Sequence, residues 1–233
     1  MLWPALLALI PPLLLFLTAP QSPQMFGKSV RHVKTHEKIV ALTFDDGPSP
    51  ACTPAMLDVL KEHEVKATFF VIGQRAAQHP EMVKSIYTAG HEIGNHSWSH
   101  QLLIWCSPQE VRDEITKTDE IIRRCGYTGS IPFRCPHGRR LVIAPWVLKD
   151  MKRTNILFDV YAWDWTNPGT EYIVKKVLSN VSPGSIILLH DGCGTPQHTI
   201  AAANQIITQL KARGYRFATV SELLALKKIP VTG

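Results

Sequence analysis

Strand and helix patterns alternate along most of this 233-residue chain, and this alternation restricts its fold more than any other feature. Short runs rich in β-branched and aromatic residues predict strands at Ile39–Thr43, Thr68–Ile72, Glu92–Asn95, Ile131–Arg134, Leu157–Tyr161, Ser185–His190 and Arg216–Thr219. Helical periodicity lies between them, at Pro54–His63, Glu81–Ala89, Pro145–Lys152, Glu171–Leu178, Thr199–Ala212 and Ser221–Leu226, and after a capping box at Ser107-Pro-Gln-Glu110. Repeated alternation implies parallel strands joined by helical crossovers. We therefore predict an α/β fold, a distorted (β/α) barrel of about seven strand–helix units.

The composition agrees with one globular domain. Hydrophobic residues make up 45% of the chain and charged residues 19%, which argues against a disordered chain. The formal net charge is +6, but Lys and Arg occur in pairs such as Lys175-Lys176 and Lys227-Lys228, not in longer clusters. Such pairs are typical of a solvated surface, so we predict no nucleic-acid partner. We expect a monomer.

An uncharged apolar segment, Leu2 to Thr18, precedes the region of alternating patterns. It indicates export, as either a signal peptide or a short transmembrane anchor, although Pro11-Pro12 interrupts it. We divide the chain into a signal peptide or membrane anchor at 1–19, a linker at 20–36 and a folded domain at 37–228. The domain would be secreted or membrane-anchored and extracytoplasmic, with residues 2–18 in the membrane if they are not cleaved.

The five cysteines form no Cys-x-x-Cys pair, which argues against a zinc ribbon or a thioredoxin-type site. In an exported domain, Cys106 and Cys125 could form a disulfide across one helix-length segment.

Unusual polar residues follow the predicted strands. Asp45-Asp46, His96, Arg134, Asp164 and His190-Asp191 all stand at or just beyond carboxyl-terminal strand ends. Active sites of barrels are built at that face, so we expect these side chains to meet there.

Two motifs among them indicate a metal site. His96-Ser-Trp-Ser-His100 places two imidazoles at i, i+4, where a helical turn would let them chelate one ion. Asp45-Asp46 follows the buried strand directly, and two adjacent carboxylates repel each other unless a cation or Arg compensates them. Alone, Asp46-Gly47 could equally be a turn.

The other strand ends offer groups for acid–base chemistry and for an apolar pocket. A histidine has an ordinary pKa near neutrality, so His190 could transfer a proton to a leaving amine. Arg134 could pair with a carboxylate. The aromatic residues around Asp164 suit recognition of a sugar or a small acyl group.

Taken in order, five segments of this chain resemble the motifs of the polysaccharide deacetylase family with the NodB homology domain, carbohydrate esterase family 4. They are TFDDGPS from Thr43, HSWSH from His96, RCPHG from Arg134, DW at Asp164 and ILLHD ending at Asp191. The resemblance runs from about Lys38 to Ala225. It implies a polysaccharide N-deacetylase, a hydrolase of non-peptide C–N bonds.

The resemblance also implies residue roles. The metal ligands would be Asp46, His96 and His100, and the general base would be Asp45, held by Arg134. The general acid would be His190, tuned by Asp164. Trp165 and Leu188 would form the pocket wall, and the backbone N–H of His137 would stabilise the oxyanion. The family often has Pro and Tyr where this chain has Cys135 and His137, which could alter substrate contacts.

The implied cofactor is a divalent metal, with Zn²⁺ expected and Co²⁺ or Ni²⁺ as alternatives. The implied substrate is an N-acetylglucosamine polymer, either peptidoglycan or a chitin-like oligosaccharide, from which acetate is released. Acetyl-xylan or a small cyclic amide is an alternative substrate. A catalytically silent carbohydrate-binding protein is a third possibility, but loss of a ligand or of the acid would be its signature and neither is seen.

Overall fold

The computed structural model of the protein describes residues 28–139, 142–192 and 196–226. The predicted signal peptide or anchor at 1–19 lies outside these residues, as does Cys193. Among the described helices, none combines the length and apolar character that crossing a membrane requires.

The described elements alternate as the sequence predicts. The strands are β1 (Ser29–Val30), β2 (Ile39–Asp45), β3 (Thr68–Val71), β4 (Glu92–Asn95), β5 (Asn155–Ile156), β6 (Val160–Tyr161), β7 (Ile186–His190) and β8 (Arg216–Ala218). The helices are α1 (Thr53–Glu62), α2 (Gly73–Gln78), α3 (Pro80–Thr88), α4 (Pro108–Arg124), α5 (Ile143–Asp150), α6 (Thr170–Leu178), α7 (Pro196–Ala212) and α8 (Val220–Ala225). Three 3₁₀ turns lie at Leu103–Trp105, Pro136–Gly138 and Asp164–Thr166.

The ladders between the named strands are parallel, and β2 lies at their centre. The strand order is β4-β3-β2-β7-β6, and β8 pairs with the first half of β2. A single residue, Phe133, bridges Asn95 of β4 and Asn155 of β5. The prediction of an α/β fold with parallel strands is confirmed, and the one-residue bridge agrees with a distorted barrel.

Two predicted strands are shorter than their sequence patterns. The segment Ile131–Arg134 forms only the bridge at Phe133, because Pro132 has no N–H to donate to a neighbouring strand. Of the segment Leu157–Tyr161, only Val160 and Tyr161 form a strand, β6, and a gap of three residues separates it from β5. Asp159 lies in the gap, where its carboxylate accepts hydrogen bonds from the Ile186 amide at 2.8 Å and the Ser185 hydroxyl at 2.9 Å.

Residues 28–36, the described part of the predicted linker, belong to the folded domain. The predicted boundary between linker and domain, at residue 37, was therefore wrong. Strand β1 pairs with β5, and Val33 is completely buried. His32 Nδ1 lies 2.8 Å from Asp159 Oδ2. Polar composition suggested a linker, but burial of Val33 and these contacts hold residues 29–33 against the barrel.

Alternation along β2 separates the helix-facing layer from the barrel interior. Val40, Leu42 and Phe44 pack in the larger core with the surrounding helices, whereas Ile39 and Ala41 pack in the inner cluster. Successive side chains of a strand point to opposite faces. Continuing the alternation therefore places Thr43 and Asp45 on the inner face.

The sequence predicted two local features at α4, a capping box at its start and a disulfide across it, and only the capping box is present. The capping box at its start is present, with both the Ser107 and the Glu110 side chains bonded to backbone N–H groups. The suggested disulfide between Cys106 and Cys125 is wrong, since both thiols are free. These residues flank a 17-residue helix that is about 25 Å long, far beyond the reach of a disulfide.

We predict that Ser107→Ala lowers the free energy of unfolding by about 1 kcal/mol, because the Glu110 amide loses its capping partner. Urea unfolding of the purified domain measures this. Ser179→Ala, in which the altered hydroxyl is exposed beyond the end of α6, is the matched control. An equal effect in the two variants would contradict the capping role.

Candidate active site at the carboxyl ends of the strands

The predicted polar residues converge on one cavity at the carboxyl ends of the strands. Its volume is about 410 Å³. It is lined by Asp45, Asp46, His96, His100, His137, Gly138, Arg139, Phe158, Trp165, Leu188 and His190. Arg134 and Asp164 lie behind this lining, completely buried and 3% exposed respectively, each in contact with a lining residue.

Asp46, His96 and His100 form a cluster that can hold a metal ion. One ligand atom from each lies within 4.8 Å of the others. Asp46 Oδ1 is 3.5 Å from His96 Nε2 and 3.2 Å from His100 Nε2. Ligands at the ordinary Zn–N and Zn–O distances of about 2.1 Å are separated by about 3.4 Å in a tetrahedral site. The observed separations therefore fit a small divalent cation without rearrangement of the side chains.

The protonation state of His96 also suits metal binding. Its Nδ1 lies 2.9 Å from the Arg134 carbonyl oxygen, which can only accept a hydrogen bond, so Nδ1 carries the proton. Nε2 is then a lone-pair donor facing Asp46. Burial, helped by the neighbouring His100, lowers the pKa of His96 to about 3, so the ring is neutral at physiological pH.

The motif that carries both histidines is not the helical turn that its spacing predicted. Residues 96–100 follow β4 as a loop, with Ser97 and His100 in the left-handed region at φ 64° and 60°. Asp46 also has a left-handed backbone, at φ 72°. Non-glycine residues rarely adopt this conformation unless surrounding contacts enforce it, and such residues concentrate at functional sites.

Glu114 enforces the histidine loop, and the sequence analysis missed it. Its carboxylate accepts hydrogen bonds from the Trp98 and Ser99 amides, both at 2.8 Å, and from the Ser99 hydroxyl at 2.9 Å. Asn95 continues this support, since its side-chain oxygen accepts from the Ser97 amide at 2.8 Å. The available signal was a Glu at the seventh residue of α4, on the same helix face as the buried Val111 and Thr118.

Asp45 is paired with a completely buried arginine. Arg134 Nη1 donates to Asp45 Oδ1 at 2.6 Å and to Thr43 Oγ1 at 2.9 Å. The guanidinium also donates to the carbonyl oxygens of Ile156 and Leu157, and it lies 4.0 Å from the centre of the Phe70 ring. Burial raises the pKa of Asp45 above its usual value, and Arg134 opposes the rise. The result is a fixed carboxylate that is more basic than an exposed one.

His190 and Asp164 form a second pair, and His190 ends strand β7 as the in-register neighbour of Asp45. His190 Nδ1 lies 2.9 Å from Asp164 Oδ1, and the His190 amide donates to Asp164 Oδ2 at 2.8 Å. Burial lowers the pKa of His190, but Asp164 more than compensates through charge and hydrogen bonding and raises it to about 9. The imidazole is therefore protonated at neutral pH. The Trp165 ring lies against it, 4.9 Å between centroids.

His137 completes the histidine side of the cavity. It lies in the 3₁₀ turn that follows Arg134, with a left-handed backbone at φ 57°. Its ring centroid is 4.4 Å from that of His100. The cavity thus offers a candidate metal site, a carboxylate, a protonated imidazole and an apolar wall within one small volume. These are the groups needed to hydrolyse an amide or ester.

Comparison with known proteins places this geometry in a family. The sequence profile of the polysaccharide deacetylase family matches residues 32–156. The chain is 40% identical over 200 residues to a peptidoglycan-N-acetylglucosamine deacetylase of Bacillus cereus. The match covers 84% of this chain and 92% of that protein. It is 36% identical over 202 residues to the chitooligosaccharide deacetylase of a Bradyrhizobium species, covering 79% of this chain and 90% of the relative.

Other relatives are longer. The chain is 40% identical over 200 residues to the peptidoglycan-N-acetylglucosamine deacetylase PgdA of Listeria monocytogenes, with 85% of this chain and 41% of that protein covered. Among solved structures, the Bc1960 peptidoglycan N-acetylglucosamine deacetylase superposes with a TM-score of 0.79 at 38% identity, covering 83% of this chain and 91% of the other. The chain belongs to the polysaccharide deacetylase family of enzymes, carbohydrate esterase family 4.

Proposed function

We propose that this protein is a metal-dependent hydrolase that removes N-acetyl groups from N-acetylglucosamine residues of peptidoglycan and releases acetate. The observation that carries the proposal is the cavity in which Asp46, His96 and His100 converge between Asp45 and His190. Deacetylation by the similar proteins named above supports the reaction type. Of the three sequence relatives named above, two are peptidoglycan deacetylases and one is a chitooligosaccharide deacetylase, so a chitin-like oligosaccharide is the second candidate substrate.

Asp46, His96 and His100 would hold the metal, with Zn²⁺ expected because two nitrogens and one carboxylate oxygen suit it and leave positions open. Co²⁺ and Ni²⁺ are alternatives. A divalent metal bound there supplies Lewis acidity, which lowers the pKa of water and polarises the acetyl carbonyl.

Asp45 is proposed as the general base. Its Oδ2 lies 3.6 Å from His96 Nε2, so the carboxylate borders the candidate metal site while Oδ1 is held by Arg134. One oxygen is thereby committed to orientation, and the other is left to take a proton from the attacking water. A pKa raised by burial makes this carboxylate a stronger base.

His190 is proposed as the general acid for the leaving nitrogen. Asp164 bonds to Nδ1, so the Nε2 proton is the one that can be transferred. Trp165 and Leu188 line the cavity and would contact the acetyl methyl group, and the backbone N–H of His137 would stabilise the oxyanion. An oxyanion donor of this kind contributes on the order of 3 kcal/mol.

The proposed substrate lies outside the cytoplasmic membrane. We therefore propose that the protein acts at an extracytoplasmic location, secreted or anchored by residues 2–18.

We predict acetate release from peptidoglycan by the purified protein, loss of that release after treatment with a chelator, and recovery on addition of Zn²⁺. An enzymatic acetate assay measures this, with chito-oligomers and acetyl-xylan as parallel substrates. Full activity with the chelator present would contradict metal dependence. A zinc-loaded protein that binds these glycans but releases no acetate would indicate a silent carbohydrate-binding protein instead.

We predict different defects for the two adjacent carboxylates. Asp46→Asn removes a charged ligand and should weaken zinc binding by more than the 10- to 100-fold that loss of a ligand's hydrogen-bond partner costs. Asp45→Asn keeps an amide oxygen for Arg134, so it should retain zinc while kcat falls by about 10²- to 10⁴-fold. Zinc content after dialysis and initial rates measure the two effects. Equal loss of zinc in both variants would contradict the division of roles.

We predict that Asp164→Asn moves the high-pH limb of the kcat/KM profile to lower pH by about 1 to 3 units. Asp164 raises the pKa of His190, so its removal makes the imidazole lose its proton at a lower pH. The pH profile of acetate release measures the shift. Thr199→Val is the control: it removes a 3.3 Å hydrogen bond to Asp164 but keeps the Asp164 carboxylate. The high-pH limb of that variant should stay at the wild-type pH. An unshifted limb in Asp164→Asn would exclude His190 as the titrating acid.

A further inference from the structure

Arg75 joins the two loops that carry the site, although it belongs to none of the five motifs. It is the third residue of helix α2, and its side chain is half-buried. Its Nη1 donates to the carbonyl oxygen of Asp46 at 2.8 Å and also to the carbonyl oxygen of Gly192. Both acceptors are backbone groups next to functional side chains: Asp46 itself, and Gly192 two residues after His190.

The two loops are in backbone contact where Arg75 binds them. The Asp191 amide donates to the Asp45 carbonyl oxygen at 3.1 Å. A Cβ at Gly192 would overlap the Asp46 carbonyl group, so the close approach requires glycine there. Two carbonyl oxygens that converge repel each other. A cation that donates one N–H to each of them stabilises the arrangement.

The backbone of Asp46 needs such support. Its φ of 72° is unfavourable for a residue with a side chain, and this angle sets the direction in which the carboxylate leaves the chain. Holding the Asp46 carbonyl therefore also orients its carboxylate relative to the two imidazoles.

Helix α2 binds the histidine loop as well, through its backbone. The Gly73 amide donates to the Ser97 carbonyl oxygen at 2.9 Å, and the Gln74 amide donates to the Trp98 carbonyl oxygen at 3.0 Å. One short helix thus contacts the segment between His96 and His100 through its first N–H groups, and Asp46 through Arg75. Its position relates the carboxylate ligand to the imidazole ligands.

We propose that Arg75 is a positioning residue that sets the geometry of the metal site by fixing Asp46 against the histidine loop. The inference rests on the proposed role of Asp46 as a ligand. The docking of α2 depends on backbone amides and not on the Arg75 side chain, so loss of the guanidinium should leave the helix in place and affect metal affinity first.

The test compares Arg75→Met and Arg75→Lys with a matched control, Arg123→Met. Arg123 also donates from one Nη1 to two backbone carbonyl oxygens, those of Tyr127 and Gly129, in an exposed turn outside the cavity. Zinc affinity is measured by competition with a chromophoric chelator, and the thermal unfolding midpoint is measured on the metal-free proteins.

We expect Arg75→Met to bind zinc about 10- to 100-fold more weakly than the wild type, with a metal-free unfolding midpoint close to that of Arg123→Met. Arg75→Lys should recover part of the affinity, because an ammonium can still donate to carbonyl oxygens. Arg123→Met should bind zinc as the wild type does.

Wild-type affinity in both Arg75 variants would overturn the positioning role while leaving the proposed metal site intact. If the wild type itself binds no zinc, the proposed function fails and this inference fails with it. If Arg75→Met does not fold, Arg75→Lys decides: affinity equal to the wild type, or failure to fold as well, would assign Arg75 to the fold and not to the metal site.

Discussion

The ion pair between Arg134 and Asp45 is the interaction on which the site depends. Both residues are on the inner side of the barrel, where a lone charge would be very costly, and removing either partner of such a pair typically costs about 3 to 5 kcal/mol. The guanidinium donates four hydrogen bonds: one to the carboxylate, one to Thr43 and two to carbonyl oxygens of the segment 156–157. It thereby joins β2 to the part of the barrel where the sheet is reduced to single-residue bridges.

A buried ion pair contributes little net stability compared with apolar residues of the same size, so its presence in the interior is better explained by chemistry. It commits one oxygen of Asp45 to Arg134 and directs the other toward His96. The Arg134 backbone adds a second function, because its carbonyl oxygen fixes the tautomer of His96. One residue therefore supports both the proposed base and a proposed ligand.

The strands and the loops make different contributions to this cavity. Asp45 and His190 are the last residues of β2 and β7, which are paired in register, so sheet hydrogen bonding fixes their backbones. The candidate ligands Asp46 and His100 stand beyond the strand ends in left-handed conformations, which require outside support. That support comes from helices: Glu114 of α4 and the first residues of α2 hold the histidine loop. Strand pairing thus fixes the backbones of the proposed acid and base, whereas helices hold the loop that carries the candidate metal ligands.

Much of this arrangement could be predicted from the sequence. Alternating patterns indicated parallel strands with helices, and polar residues at the strand ends had to share one face because parallel strands place their carboxyl ends together. The predicted local structure was wrong at two segments where residue spacing or residue type was considered alone. Spacing alone suggested a helical turn at His96–His100 and a full strand at Ile131–Arg134, but a loop with left-handed residues and a proline with no N–H are found there.

By itself, the sequence determined the α/β fold, the family and the identity of the residues that line the cavity, because these follow from local periodicity and from short motifs. Only the tertiary structure decided how those residues are held. Glu114 and Arg75 are separated in sequence from the backbone groups that they bind. The pattern of α4 places Glu114 on its buried face but does not identify its partners, and the local pattern of Arg75 does not distinguish it from a surface charge. Their roles arise from the packing of α2 and α4 against the barrel, which brings a carboxylate and a guanidinium to loops whose strained backbones need partners.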